Sequence, residues 1–328
     1  MTKDKYIVAV DLGGTWVRLA LSNVEGRFLG KMQRRVDKSS EKATSGQIIG
    51  MINLLCEEGH VDPRTLKGVG IASAGPLSLK EGALINPTNL PFEYVQLTEP
   101  ISEELGVPAY LLNDCTAAVL GERAFGAGKG LENIVYITIG TGIGGGAIVD
   151  SCLLLGKDGN AVEIGHLTID FEGRLKCGCG KNGHWEAYCS GRNMPNFVRM
   201  KLEEIDEAIV EKSEIYVKAK GDLSKLTSEI LFEAAKDRDK LALRLVEEIG
   251  VLNAIGFANV INAFDPSLIT VGGTVTLKNT KLILSPIRRH VEDYALNRVP
   301  RIVATPLGED VGIFGAVAAV LKFRSHSA

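Results

Sequence analysis

The run Tyr6-Ile-Val-Ala-Val-Asp11-Leu-Gly-Gly-Thr15-Trp-Val-Arg18-Leu-Ala-Leu21 decides the fold, because a version of it returns as Ile134-Val-Tyr-Ile-Thr-Ile139-Gly-Thr-Gly142-Ile-Gly-Gly-Gly-Ala-Ile-Val149. Each reads as a β-branched strand, a Gly/Thr turn and a returning strand. Offset by 127 residues, Asp11 falls on Thr138, Gly13 on Gly140 and Gly14 on Thr141. An internal duplication is the simplest explanation, and it suits two domains of one ancestry. The length agrees: 328 residues suggest two domains at roughly 150 residues each. Around the two hairpins, strand-like and helix-like stretches alternate. Helix patterns cover 48–56, 100–105, 115–125, most of 196–262, and 308–323. Strand patterns cover 66–71, 108–112 and 265–273. Such alternation indicates an α/β fold with mixed sheets.

Composition narrows the function. Hydrophobic residues make up 45% and charged residues 23%, and the net charge is -3, which argues against a broad basic surface for nucleic acid. No signal-peptide pattern follows the N-terminus and no apolar run reaches membrane-spanning length. A cytoplasmic protein with no membrane partner is expected. Of the 37 glycines, 17 lie between Gly121 and Gly191, so something there needs bare backbone.

The two Gly/Thr turns suggest phosphate binding. Glycine lets the backbone approach an anion, amide N–H groups donate to it, and the Thr hydroxyl adds a contact. No Walker loop is present. Gly140-x-Gly142-x-x-Gly145 fits the dinucleotide pattern, but a strand rather than a helix follows, which removes its warrant. An ordinary tight hairpin explains either turn alone. The matched pair, together with Asp11, points to a nucleotide clasped between domains. Asp114 ends a strand just before a helix, where it reads either as an N-cap or as a carboxylate at the ligand-binding edge of a sheet, and spacing does not separate the two. Asn113 beside it offers a donor and an acceptor to a hydroxylated ligand. A third signal is Glu163-Ile-Gly-His166 followed by Cys177-Gly-Cys179 and His184-Trp-Glu186. Two Cys and two His in a glycine-rich segment suit a tetrahedral zinc site, and four protein ligands close the shell, so the metal is structural rather than catalytic.

Taken in order, Asp11–Thr15 with Arg18, Asn113-Asp114, Gly126–Gly130, Gly140–Gly146, Glu163-x-Gly-His166, the Cys-x-Cys-Gly loop and Glu186-Ala-Tyr-x-Ser-Gly191 resemble the ROK family, named for repressors, open reading frames and kinases. The resemblance runs nearly end to end and looks closest to glucokinase-like and N-acetylmannosamine-kinase-like members. It implies the actin-like ATPase fold, a duplicated ribonuclease H-like motif in two lobes with a central cleft. The expected lobes are residues 1–113 with 308–328, and 114–307. It also implies phosphorylation of a hexose at the 6-hydroxyl by Mg-ATP, with an N-acylhexosamine as the alternative acceptor.

By the same resemblance, Asp114 corresponds to the catalytic base. Gly75, Asn89, Asn113, Glu163, His166 and Glu186 correspond to the sugar pocket. Asp11, Gly13, Gly14, Thr15, Arg18, Thr141 and Gly142 fall at the phosphates, with Asp11 near Mg²⁺, and Gly272-Gly273 on the adenosine side. His166, Cys177, Cys179 and His184 form the zinc set, and the family suggests a homodimer or homotetramer. Two departures stand out. His184 replaces a family cysteine, giving Cys₂His₂, and Ala74 stands where the family usually has proline. Two rival classes fit less well. A sugar-responsive repressor needs an N-terminal DNA-binding domain, and here the first strand begins at Tyr6. A non-catalytic sugar-binding module has no need to keep Asp11, Asp114, Glu163 and Glu186 together.

Overall fold

The computed structural model describes residues 5–87 and 90–324. The first hairpin is β1 (Tyr6–Leu12) and β2 (Trp16–Asn23), continued by β3 (Phe28–Arg35). Helix α1 (Ala43–Glu58) leads to β4 (Gly68–Ser73), and the short β5 (Leu77–Ser78), β6 (Ala83–Ile85) and β7 (Tyr94–Gln96) make a small antiparallel sheet. Then come α2 (Thr98–Leu105), β8 (Ala109–Asn113) and α3 (Asp114–Ala124). The second hairpin is β9 (Ile134–Ile139) and β10 (Ile143–Val149), followed by β11 (Cys152–Leu153). A helical stretch follows: α4 (Glu186–Cys189), α5 (Met194–Leu202), α6 (Glu207–Glu211), α7 (Glu214–Lys218), α8 (Ser228–Lys236) and the long α9 (Lys240–Phe264). The chain closes with β12 (Leu268–Gly272), α10 (Thr274–Lys278), α11 (Thr280–His290), β13 (Arg301–Ala304) and α12 (Val311–Arg324).

The duplication is visible in the sheets. The first has the order β3-β2-β1-β4-β8 and the second β11-β10-β9-β12-β13, so both run third, second, first, fourth, fifth. The 127-residue offset holds at the element ends: β1 stops at Leu12 and β9 at Ile139, while β2 starts at Trp16 and β10 at Ile143. In the first sheet β1 pairs antiparallel with β2 and parallel with β4, and β4 pairs parallel with β8. Val8, Val10, Leu12, Val17, Leu19 and Leu21 on one face meet Ile48, Met51, Ile52 and Leu55 of α1 in a buried apolar cluster.

The chain divides into two compact units, one of residues 1–136, 146–162 and 305–328, the other of 137–145 and 163–304. This contact division keeps α3 with the first unit, whereas the expected lobes are 1–113 with 308–328 and 114–307. The cause is backbone contact between α3 and α12. A methyl added at Gly121 would lie 2.7 Å from the Gly315 amide nitrogen, and one at Gly315 would overlap the Ala117 carbonyl. Only glycine at both positions lets the helices approach this closely. Fully buried Glu122 adds to the same packing, taking the Ala127 N–H at 3.0 Å and the Thr305 hydroxyl. In the second unit, buried Trp185 stacks edge-on against Phe257 of α9 and donates its indole N–H to Asn253 at 2.9 Å. No helix among the described residues is long and apolar enough to cross a membrane.

Candidate active site and metal cluster

Three parallel strands of the first sheet end in register. Leu12 of β1 faces Ser73 of β4, which faces Asn113 of β8. Their C-terminal ends thus bring Asp11, the Ser73–Gly75 segment and Asn113-Asp114 to one edge, where open α/β sheets bind ligands. Asn113 is the helix cap of α3: its Oδ1 accepts the N–H groups of Cys115 at 2.9 Å and Thr116 at 3.3 Å. The cap role open to Asp114 in the sequence thus falls to its neighbour, and the Asn113 amide nitrogen points toward Gly75, 3.8 Å from where a methyl there would sit. Asp114 opens the helix. Its Oδ1 accepts the Cys115 N–H at 2.8 Å, and the carboxylate also engages the Cys115 side chain and its own backbone N–H. Burial pushes its carboxyl above the ordinary range, and the negative charge of Asp11 pushes the same way, against the Cys115 N–H bond.

Asp11 lies opposite Arg18 in the β1/β2 register. Arg18 donates Nε to Asp11 Oδ2 at 3.0 Å, adds a bond from Nη2 to the same oxygen, and reaches the Glu309 carbonyl at 2.9 Å. Asp11 Oδ1 accepts nothing among the described residues. The carboxylate fills the space left by Gly312 at the start of α12, where a methyl would lie 3.4 Å from Asp11 Cγ. The turn Gly13–Thr15 is closed by the Gly13 N–H on the Trp16 carbonyl at 2.9 Å and braced by the Val36 N–H on the Thr15 carbonyl at 3.0 Å.

The second hairpin has its own braces. Gly140 donates to the Gly142 carbonyl at 3.0 Å, while Gly191 and Arg192 donate to the carbonyls of Gly140 at 2.8 Å and Thr141 at 3.2 Å. Glu186 Oε2 accepts the Ile143 N–H at 2.9 Å, and a methyl at Gly142 would sit 2.5 Å from that oxygen. Gly272-Gly273 joins β12 to α10. Gly273 has φ +86°, and a methyl there would lie 2.5 Å from the Ile139 carbonyl, so the position requires glycine. A methyl at Gly140 would be 3.7 Å from the Thr274 amide nitrogen, so the structure brings the expected phosphate turn and adenosine-side turn together.

His166, Cys177, Cys179 and His184 converge, their ligand atoms all within 4.8 Å of one another. Cys177 Sγ is 3.7 Å from His166 Nδ1, and Cys179 Sγ is 3.3 Å from His184 Nδ1. A tetrahedral zinc with ordinary bond lengths needs S···N edges of about 3.5 Å. The donor set therefore fits a zinc ion with little movement. Burial pushes the Cys177 thiol up to about 11, so a cation would have to displace its proton. Glu163 precedes the short helical turn Ile164–His166, and its Oε2 is 3.9 Å from His166 Nε2. The two nitrogens of His166 thus face different partners: the metal cluster on one side and Glu163 on the other. Glu186 Oε1 lies 3.8 Å from Cys177 Sγ, so Glu163, His166 and Glu186 gather at the cluster.

The loop carrying these ligands has an anchor the sequence did not reveal. Asp170 takes the hydroxyl of buried Tyr188, the Arg174 Nε at 3.0 Å, and the N–H groups of Glu172 at 3.3 Å and Arg174 at 3.2 Å. The Tyr188 oxygen in turn accepts the Leu175 N–H at 3.0 Å. The Asp170-x-x-x-Arg174 spacing was the only hint of it. Asn160 was also missed: it is bound through both amide atoms to the Leu77 backbone, and its Oδ1 would be 3.2 Å from a methyl on Gly75. Asn89 lies outside the described residues.

Residues 7–322 match the family model described as "ROK family". The glucokinase of Pyrobaculum calidifontis is 33% identical over 97% of this chain and 95% of its own length. A ROK family glucokinase from Streptomyces griseus, solved in complex with glucose and AMPPNP, superposes with a TM-score of 0.74 at 30% identity, covering 95% of this chain and 98% of that one. The ROK hexokinase of Thermus thermophilus superposes with a TM-score of 0.79 at 28% identity, covering 98% and 99% of the two chains. The fold is the actin-like ATPase fold with two lobes.

Proposed function

Because the chain belongs to the ROK family, we propose that it transfers the γ-phosphoryl group of ATP to the 6-hydroxyl of a hexose, with glucose as the preferred acceptor. The chain is an ATP-dependent sugar kinase. The observation that carries the finer reading is the C-terminal edge of the first sheet, where Asp114 stands beside Asn113 and the Ser73–Gly75 segment with its carboxyl pushed up by burial. A sugar hydroxyl barely ionises at neutral pH. A carboxylate of raised pKa orients it and accepts its proton as the O–P bond forms. Asn113, its oxygen committed to the helix cap, offers its amide nitrogen to a sugar oxygen beside Gly75. Glu163, His166 and Glu186 hold the other hydroxyls.

Phosphoryl transfer asks mainly for positioning and charge neutralisation. The turns Gly13–Thr15 and Gly140–Gly142, closed by the N–H groups of Gly13 and Gly140, receive the phosphates through their remaining amides and the hydroxyls of Thr15 and Thr141. Gly272-Gly273 supports the adenosine side. Arg18 fixes Asp11 through Oδ2, with Oδ1 left over, and Asp11 is the residue that would hold Mg²⁺. That ion would supply charge neutralisation at the phosphates. His166, Cys177, Cys179 and His184 would hold a structural zinc that stiffens the loop behind Glu163 and Glu186. A cytoplasmic setting, where Mg-ATP is plentiful, and a homodimer or homotetramer complete the reading.

The test is a coupled ADP-release assay over glucose, mannose, fructose, glucosamine, N-acetylglucosamine and N-acetylmannosamine. Glucose should give the highest kcat/KM. Preference for N-acetylmannosamine would reassign the acceptor, and no sugar-dependent ADP would overturn the kinase reading.

A further inference from the structure

Across β1, β2 and β3, one face of the first sheet lines up Asp11, Arg18, Gln33, Trp16 and Arg35. Asp11 is opposite Arg18, Arg18 opposite Gln33, and Trp16 opposite Arg35, and residues two apart along a strand share a face. The cations on this face are not equivalent. Arg18 is bound to Asp11, and Lys31 forms an ion pair with Asp310. Arg35 has no ion pair among the described residues. Its guanidinium instead lies over the Trp16 ring, 5.4 Å from the centroid, a cation–π arrangement.

Trp16 is the residue immediately after the Gly13–Thr15 turn, and it is 43% exposed, whereas the chain's other tryptophan, Trp185, is fully buried. The Val36 N–H on the Thr15 carbonyl ties the segment just after Arg35 to that turn. An exposed indole capped by an uncompensated guanidinium therefore flanks the first Gly/Thr turn. That turn supplies amides and a hydroxyl but no net charge, since Arg18 is cancelled by Asp11. A polyphosphate arriving there meets Arg35 as the side chain with positive charge to spare. Arg is also suited to the role, because its planar fork can bind phosphate oxygens while stacked on a ring.

We propose that Trp16 and Arg35 form a platform for the polyphosphate tail of the donor nucleotide, with Arg35 supplying the positive charge the turn lacks and Trp16 holding the guanidinium flat. The proposal rests on the kinase reading given above.

The test uses intrinsic fluorescence and calorimetry on the intact chain. Trp16 is the exposed emitter, so binding of Mg-AMPPNP changes the emission of the parent and leaves W16F, which retains only buried Trp185, nearly silent. Hydrogen bonds to charged groups carry about 1.5–3 kcal/mol, so R35Q should weaken Mg-AMPPNP ~10- to 100-fold. AMP, which lacks the β- and γ-phosphates, should be affected far less, and glucose affinity should stay within about twofold of the parent. R35K, which keeps the charge without the planar fork, should recover part of the loss. If R35Q binds Mg-AMPPNP like the parent, or loses AMP as severely as AMPPNP, the platform is wrong while the kinase reading stands. If the parent releases no ADP with any hexose, the kinase reading fails and the platform falls with it.

Discussion

Replacing Tyr188 by phenylalanine removes one oxygen from the anchor of the metal-cluster loop. Tyr188 is fully buried and Asp170 is 6% exposed. The substitution strips Asp170 of a charge-assisted hydrogen bond and leaves the Leu175 N–H, two residues before Cys177, without its acceptor. A bond to a charged group is worth about 1.5–3 kcal/mol and an unmade buried donor costs about 1–3 kcal/mol. Because Arg174 still holds Asp170, about 2–4 kcal/mol is expected in total. The ionisation of the pair gives a second route. Burial, then the bond to Asp170, pushes the Tyr188 phenol up from 10.0 to about 12, which at about 1.4 kcal/mol per pH unit corresponds to about 3 kcal/mol.

The sign is set by the direction of the shift. A phenol raised on folding gives stability that is complete below about pH 10 and lost as pH climbs toward about 12. Asp170 is held low by Arg174 and Tyr188 in spite of its burial, so its share is lost only as pH falls below the ordinary carboxylate range. Urea denaturation of the parent and Tyr188→Phe across pH should therefore show a deficit of about 2–4 kcal/mol near neutrality that closes above about pH 10. Zinc affinity, read by competition with a chromophoric chelator, should fall about 10- to 100-fold, as for other residues that orient metal ligands. A deficit under about 0.5 kcal/mol, or a full-sized one unchanged up to about pH 12 with zinc affinity intact, would refute the reasoning.

Three further outcomes follow from the same geometry. Asp114→Asn should lower kcat by about 10²–10⁴-fold, the usual contribution of a general base. Its stability relative to the parent should improve as pH rises through the carboxylate range, because the parent's desolvated carboxyl is penalised only when ionised; urea titrations at acid and neutral pH measure this. Gly273→Ala forces φ +86° on a residue with a side chain and presses a methyl toward the Ile139 carbonyl. It should cost about 1–3 kcal/mol and raise KM for ATP more than KM for the sugar in steady-state kinetics. Chelating the metal should weaken sugar binding, measured by calorimetry, before it weakens nucleotide binding, since His166 reaches the cluster with one nitrogen and Glu163 with the other. Unchanged sugar affinity in folded, metal-free protein would remove that role.

The sequence exposed what repeats and what is local. The 127-residue offset between the two Gly/Thr hairpins carried over to the strand ends and to the shared sheet order. The Cys/His grouping was legible because its members lie within one short segment, and the structure brings their ligand atoms within 4.8 Å of one another. What escaped depends on distant contacts. Whether Asp114 is a helix cap or a carboxylate at the sheet edge could not be read from spacing, because both roles occupy the same strand-to-helix junction, and the fold hands the cap to Asn113. The close approach of α3 and α12 was not legible, because the glycines that allow it, Gly121 and Gly315, are nearly two hundred residues apart. Glu122, Asn160 and the Asp170–Tyr188 pair left no periodic trace, since each acts through one partner brought near by the fold.

The measurement closest to the central claim is phosphorus NMR of the reaction of the parent and of Asp114→Asn with ATP and glucose. The parent is predicted to form glucose 6-phosphate and ADP mole for mole, while the Asn variant, folded and still able to bind both ligands, forms almost none. Phosphate on another hydroxyl, ADP without sugar phosphate, or a variant that turns over like the parent would contradict the account.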